Sequence, residues 1–178
     1  HWYRGRGGGN IGEFETGYAD LLGAKRCLAT ASGTTALFTS LYVMGLDAGD
    51  EVIVSPYTFI ATYNAILMQK ALPVFADTDP ATLTMDPATI ENRITDRTRL
   101  ILPVHIYGMP CDMDRIMAIA KSHGAKVIED SCQCDGGSYK GKRTGSIGDV
   151  GAYSFNDFKI VSAGEGGGFV TNDRTLYE

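Results

Sequence analysis

Apolar strand-like segments alternate with helix-like segments along most of this chain, and this alternation limits the folds that it can adopt. Strands are predicted at residues 26–31, 51–54, 72–76, 99–104 and 126–128, and helices at 34–44, 58–69, 86–93 and 112–123. Two later strands are predicted at 149–155 and 167–171. Four successive strand–helix alternations are typical of a mostly parallel sheet with helices on both faces. The sequence therefore predicts an α/β domain with three layers, α-β-α.

Two predicted helices begin with recognisable capping signals. Asn10 and Glu13 have the spacing of a capping box, and Gly23 ends the apolar periodicity that follows them. Asp86 is a predicted N-cap, with Pro87 at the first helical position. A helix is therefore also expected before the first strand.

Composition narrows the class of protein. A chain of 178 residues is long enough for one domain with a sizeable core. Its net charge of -5 differs from the basic surface of general nucleic-acid binders, so we expect no nucleic-acid partner. No stretch reaches the roughly 20 apolar residues of a membrane-spanning helix, so we expect no membrane contact. The cysteines have no C-x-x-C spacing, which favours reduced thiols and a cytoplasmic location.

Candidate ligand-binding residues follow the predicted strands, where parallel sheets usually bind their ligands. Gly33 and Thr34 begin a helix, and free amides and hydroxyls at that point can bind a phosphate. Simple helix capping is the alternative interpretation. Phe59 follows the second strand, and its ring could either stack on a flat cofactor or belong to the core.

Asp130 and Lys159 are the pair with the most specific chemistry. Asp130 ends an apolar stretch, and Lys159 lies in a glycine-rich run between the two late strands. A lysine amine can form a Schiff base with pyridoxal 5′-phosphate (PLP), while a carboxylate holds the pyridinium nitrogen of that cofactor. Asp130 could instead be a metal ligand, a ribose binder, an N-cap or a surface acid, and Lys159 a solvated surface residue. Gln133 could pack at the face of the cofactor.

Two weaker motifs carry no prediction of their own. The glycines at 164–168 imitate a dinucleotide-binding loop, but they precede a strand, which is the wrong order. Cys132, Cys134 and His105 have no spacing known for metal ligands, so small buried thiols are the favoured interpretation and no metal is predicted.

Taken together, these residues resemble one family. The segments at 32–37, 56–62, 103–108, 128–133 and 154–167, with Gly148 and Asp149, are similar in order and sequence to the DegT/DnrJ/EryC1/StrS sugar aminotransferases. The resemblance covers essentially the whole chain. It implies PLP as cofactor and residues 1–178 as the PLP-binding large domain of fold type I, the aspartate aminotransferase fold. Members are about twice as long, so it also implies a fragment that lacks an N-terminal piece and the C-terminal small domain and is inactive alone.

The resemblance also implies a role for each candidate residue. Lys159 corresponds to the Schiff-base lysine, which also moves protons, and Asp130 to the acid that pairs with the pyridine nitrogen. Phe59 corresponds to the ring that stacks on the cofactor, and Gln133 to the glutamine near the ring and its 3-oxygen. The residues that correspond to the phosphate contacts are Gly33, Thr34 and Ser154.

The implied reaction moves an amino group, typically from glutamate, to a keto group of a nucleotide-linked sugar. The implied assembly is a homodimer with a shared active site. A sugar dehydratase of the same family carries histidine at the lysine position, so Lys159 disfavours that activity. A cyclitol aminotransferase, an aminohydroxybenzoate synthase-type enzyme and a non-catalytic or regulatory homologue stay open as alternatives.

Overall fold

The structure is a computed structural model that describes residues 9–178. In this range the helices are α1 (Gly9–Leu22), α2 (Gly33–Val43), α3 (Ala61–Met68), α4 (Pro87–Ile90), α5 (Met113–His123) and α6 (Arg174–Tyr177). The strands are β1 (Arg26–Thr30), β2 (Glu51–Val54), β3 (Leu72–Phe75), β4 (Thr98–Leu102), β5 (Lys126–Asp130), β6 (Ser138–Tyr139), β7 (Lys142–Arg143), β8 (Val150–Ser154) and β9 (Gly167–Thr171). Short 3₁₀ turns lie at Glu91–Arg93 and Ile106–Gly108.

One large sheet forms the centre of the domain, with the strand order β1-β9-β8-β5-β4-β2-β3. Strand β9 is antiparallel to both of its neighbours, β1 and β8. The pairs from β8 through β5, β4 and β2 to β3 are parallel. Every strand of this sheet except β9 therefore points the same way. The loops that follow β1, β5 and β8 consequently meet at one edge of the sheet.

Helices cover both faces of this sheet. Leu37 of α2 and Ile66 of α3 pack with Ile128 on one face. Ile116 of α5 packs with Val127 on the other face, because neighbouring residues of a strand point to opposite sides. Helix α1 packs on that second face beside β8 and β9. The predicted α-β-α layering is confirmed. No helix within residues 9–178 is both long and apolar enough to cross a membrane.

The structure corrects two local predictions and adds one element that was not predicted. Helix α1 begins at Gly9, so Asn10 lies inside the helix and is not its cap. Helix α3 begins at Ala61 rather than residue 58, because residues 58–60 form a turn in which the Thr62 amide donates to the Phe59 carbonyl. The small hairpin of β6 and β7 was not predicted. Lys140 and Gly141 connect its strands with φ angles of 49° and 82°, the left-handed conformation that a tight type I′ turn requires.

Candidate active site

A cleft of about 910 Å³ opens at the edge of the sheet where the parallel strands end. Its walls come from the starts of α2 and α3, the ends of β5 and β8, and the loop between β8 and β9. All the predicted site residues line this one cleft: Gly33, Thr34, Phe59, Asp130, Gln133, Ser154 and Lys159. The fold thus brings together residues that are spread widely along the sequence.

At one end of the cleft, helix α2 begins with free backbone amides. Ser32 caps the helix, since its hydroxyl accepts from the Thr35 amide at 3.1 Å while the Thr35 hydroxyl accepts from the Ser32 amide at 2.8 Å. The capping interpretation is therefore correct for Ser32, but this cap uses only the third amide of the helix. The amides of Gly33 and Thr34 have no partner inside the helix and remain available to an anion.

Gly33 allows the end of β8 to come close to these amides. A Cβ atom at this position would lie 2.6 Å from Ser154 Cβ and 3.0 Å from Ser154 Oγ, closer than packed atoms tolerate. No hydrogen bond joins the Ser154 hydroxyl to another side chain within residues 9–178. Its oxygen lies beside the free amides of α2, so the two elements form one small polar cradle.

Asp130 also lines the cleft, and it is held on both oxygens. Its Oδ2 atom accepts from the Thr62 hydroxyl at 2.8 Å, and its Oδ1 atom accepts from the Cys132 amide at 3.1 Å. Asp130 is buried, with 4% of its surface exposed, which rules out a surface acid. An ionised carboxylate has about four acceptor positions, so each oxygen keeps one for a further donor.

The neighbouring acid, Glu129, has a different role because it points to the other face of β5. It is fully buried, and its oxygens accept from the amides of Gly145, Ile147 and Gly148 and from His105 Nε2. These four donors satisfy the carboxylate, so Glu129 fixes the loop before β8 and takes no part in the cleft.

His105 completes this buried cluster as a hydrogen-bond donor to Glu129. Burial lowers the pKa of the imidazole, but the hydrogen bonds to Cys111 and Glu129 raise it by more, so the pKa lies above its usual value. The Cys111 amide decides the tautomer, because it donates to Nδ1 at 3.0 Å and that nitrogen must keep its lone pair. His105 Nε2 therefore carries a proton and donates it in a hydrogen bond to Glu129 Oε2, with 2.9 Å between the two atoms.

Lys159 enters the cleft from a tight turn after β8. Its backbone amide donates to the Asn156 carbonyl, and a Phe155–Gly166 backbone bond closes the base of the loop. No carboxylate within residues 9–178 forms an ion pair with its amine. The amine lies 6.0 Å from the centre of the Phe59 ring. Phe59 itself is 63% exposed, so it belongs to the cleft wall and not to the core.

Gln133 holds the remaining wall in place. Its side-chain oxygen accepts from the Tyr107 amide at 3.1 Å. Tyr107 has a φ of 51°, an uncommon left-handed conformation for a residue with a side chain. The Tyr107 hydroxyl lies 3.1 Å from that of Tyr57, so the two phenols form a pair, and Tyr107 lines the cleft.

The cysteines are all buried and unpaired. Burial and the nearby charge of Asp130 raise the pKa of the Cys132 thiol well above its usual range. Cys132 is therefore a protonated, small neighbour of the cleft and a poor nucleophile. Between residues 9 and 178, no group of three or more His, Cys, Asp and Glu side chains is arranged to hold a metal ion.

Sequence reasoning missed three contacts of the site. They are the Thr62 hydroxyl and the Cys132 amide on Asp130, and the Tyr107 amide on Gln133. Thr62 lies in the segment 56–62 that resembles the family, but nothing local indicates a bond to a residue 68 positions away.

The profile of the DegT/DnrJ/EryC1/StrS aminotransferase family matches residues 1–178. The chain belongs to this family. The predicted membership is therefore confirmed, and the fold of this family is that of fold type I PLP enzymes.

Similar proteins agree with this membership. GDP-perosamine synthase of Caulobacter vibrioides is 47% identical over 166 residues, which are 93% of this chain and 45% of that protein. The aminotransferase from Psychrobacter cryohalolentis has a TM-score of 0.94 and 46% identity, covering 96% of this chain and 43% of that one. NtdA from Bacillus subtilis, solved with bound cofactor PMP, has a TM-score of 0.89 and 38% identity over 96% of this chain and 39% of that one. The chain spans less than half the length of these proteins.

Proposed function

We propose that this chain is the PLP-binding domain of an aminotransferase that acts on a nucleotide-linked keto sugar. One observation carries the proposal. A lysine amine without an ion-pair partner among the described residues, a buried carboxylate with free acceptor positions and a cradle of free amides line the same cleft. Few cofactors other than PLP need all three groups at once.

The residues of the cleft fit PLP part by part. The amides of Gly33 and Thr34 and the Ser154 hydroxyl suit a phosphate, because Gly33 leaves space that a Cβ would fill. The open acceptor position of Asp130 suits a protonated ring nitrogen. The exposed ring of Phe59 suits stacking on a flat heterocycle, and Gln133 lines the same cleft.

When bound, PLP supplies an electron sink for the charge left when a carbon–hydrogen bond breaks. The protein's own contribution is to bind, orient and move protons. We assign two roles to Lys159 Nζ. It forms the covalent link with the cofactor, and it accepts the proton that leaves the substrate carbon. Asp130 keeps the ring nitrogen protonated, and Phe59 restricts the position of the ring.

The rest of the enzyme is proposed to lie outside this chain. The loop that carries Lys159 presents Phe158 and Ile160 with 95% and 71% of their surfaces exposed. Apolar side chains this exposed, beside a binding cleft, mark a surface that another part of a protein covers. We infer that a C-terminal domain and a second subunit of a homodimer cover it in the cytoplasmic enzyme. The chain alone is then expected to be inactive.

The substrates are proposed from the family and its named members. We propose that glutamate gives the amino group and that a nucleotide-linked keto sugar receives it, as the name GDP-perosamine synthase suggests for a similar protein. The test is an assay of the full-length protein, with PLP and glutamate, against GDP-, UDP- and TDP-linked keto sugars and a keto cyclitol. Lys159→Ala is the matched inactive control.

We expect amination of at least one nucleotide-linked sugar and none by Lys159→Ala. If only the keto cyclitol were aminated, the acceptor would be a cyclitol and not the proposed nucleotide-linked sugar. A protein that binds no PLP would show that it is a non-catalytic homologue.

A further inference from the structure

Two threonine hydroxyls at the start of α3 form a chain that ends on Asp130. Thr62 Oγ1 donates to Asp130 Oδ2 at 2.8 Å, and the Thr58 and Thr62 hydroxyl oxygens are 2.8 Å apart. Thr62 is 1% exposed. A hydroxyl has a single proton, and Thr62 gives its proton to Asp130. Thr58 must therefore be the donor in the bond between the two threonines.

These hydroxyls lead to Asp130 and do not cap helix α3. The residue at the N-cap of α3, Ile60, makes no side-chain capping bond, and neither threonine replaces it. The same turn presents Phe59 to the cleft, because the Thr62 amide donates to the Phe59 carbonyl at 3.0 Å. Thr62 thus contacts Asp130 through its side chain and Phe59 through its backbone.

We propose that Thr62 is a positioning residue, oriented by Thr58, that fixes the carboxylate plane of Asp130 relative to the ring of Phe59. The proposal rests on the proposed function, since it concerns the contact of Asp130 with the ring nitrogen of PLP. With Thr62 on one oxygen and the Cys132 amide on the other, the carboxylate cannot rotate without losing a hydrogen bond.

Removal of the Thr62 hydroxyl should act on the chemical step and not on substrate binding. Thr62 is 1% exposed and its hydroxyl proton is bonded to Asp130, so we expect its effect on the reaction to pass through that carboxylate. A hydrogen bond to a charged group corresponds to a change of about 10- to 100-fold in a rate. We expect Thr62→Val to lower kcat by about that factor and to change KM for either substrate by less than about twofold.

The experiment uses the full-length protein loaded with PLP that is ¹⁵N-labelled in the ring. Besides kcat, we would measure the ¹⁵N signal, which reports whether the ring nitrogen is protonated. Thr62→Val should move this signal toward that of an unprotonated ring, and Thr62→Ser, which keeps the hydroxyl, should restore it. Thr58→Val should shift it in the same direction by less, because Thr62 keeps its proton but loses the donor that orients it.

Thr171→Val is the matched control. Thr171 is also buried, and its hydroxyl also makes two bonds, donating to the Asp149 carbonyl at 2.8 Å and accepting from the Asp173 amide at 3.0 Å. It lies outside the cleft. Its loss should lower stability without changing the ring signal or KM.

A second readout needs no cofactor. In the apo-protein, Thr62→Val should lower the ratio of native to unfolded protein about tenfold when Asp130 is present, and much less in the Asp130→Ala background, where its partner is missing. This coupling tests the Thr62–Asp130 bond even if the protein binds no PLP. A failure to bind PLP would contradict the proposed function and not the Thr62–Asp130 bond. Should Thr62→Val not fold, Thr58→Val carries the test.

We expect Asp130→Asn to be inactive, because a neutral amide does not hold the pyridinium proton. If Asp130→Asn is inactive but Thr62→Val keeps the wild-type kcat and ring signal, the positioning role is overturned. A Thr62→Ser variant with the same defects as Thr62→Val would overturn it as well, because the hydroxyl would then not be the group that matters.

Discussion

Replacement of Glu129 by glutamine is expected to destabilise the domain strongly. The Glu129 carboxylate accepts from the Ile147 and Gly148 amides on one oxygen, at 2.7 and 2.6 Å, and from His105 and the Gly145 amide on the other, at 2.9 and 2.8 Å. Glutamine keeps one of these oxygens and replaces the other with an NH₂ group. In either orientation of the amide, two of the four buried donors then face the NH₂ group, which is itself a donor.

The magnitude follows from these two lost bonds. His105 cannot adapt by moving its proton to Nδ1, because the Cys111 amide already donates to that nitrogen. Each lost hydrogen bond to a charged group costs about 1.5–3 kcal/mol, so Glu129→Gln should lower the free energy of unfolding by about 3–6 kcal/mol. A typical domain has about 5–15 kcal/mol in total.

The assay is urea unfolding of the full-length protein, combined with amide hydrogen exchange at Gly145, Ile147 and Gly148. Exchange at these amides should accelerate before global unfolding, because they lose their acceptor. Glu15→Gln is the control: Glu15 is also buried, but within residues 9–178 a single donor, the Ala29 amide at 2.9 Å, bonds to its carboxylate. Glutamine can accept that bond, so a change below about 1 kcal/mol is expected. Equal costs for the two variants would refute the reasoning.

Two further substitutions test individual contacts. Ser131→Ala should leave stability unchanged or raise it by about 1 kcal/mol in thermal unfolding, because Ser131 Oγ is buried without a partner among the described residues. Ser40→Ala, which removes a 2.7 Å bond to the Ala36 carbonyl, should lower stability. A lower stability for Ser131→Ala than for Ser40→Ala would contradict this expectation. Gly33→Ala should weaken PLP binding in a fluorescence titration by about tenfold or more, since its Cβ would displace Ser154. Gly17→Ala, at an exposed helix position with open space around it, should keep wild-type affinity and add about 0.5–1 kcal/mol of stability; an equal loss of affinity in both would count against the cradle.

The order of elements could be predicted from sequence because each signal is local. Apolar periodicity, the Asp86 cap and the glycines that end α1 and α5 are all visible within a few residues. The reversed direction of β9 is not local, since it depends on pairing with β1, about 140 positions earlier. The β6–β7 hairpin had a signal in Gly141, but its two-residue strands are too short to show alternation.

The residues of the site could be proposed from motifs, but their supports could not. Asp130 and Glu129 are adjacent acids, and the resemblance to the family favoured Asp130 for the site. The register of β5 separates them, because it turns one toward the cleft and the other into the layer below. Thr62 shows the same limit. Thr62 and Asp130 are far apart along the chain, so the sequence does not reveal the contact that the folded parallel sheet allows.

The central claim is that Lys159 binds PLP covalently in this cleft. The most direct measurement is borohydride reduction of the PLP-loaded full-length protein, followed by mass spectrometry of its peptides. We expect loss of the visible absorption band and a single phosphopyridoxyl group, on the peptide that contains Lys159. A label found on surface lysines such as Lys126 or Lys140, with Lys159 unmodified, would contradict the claim.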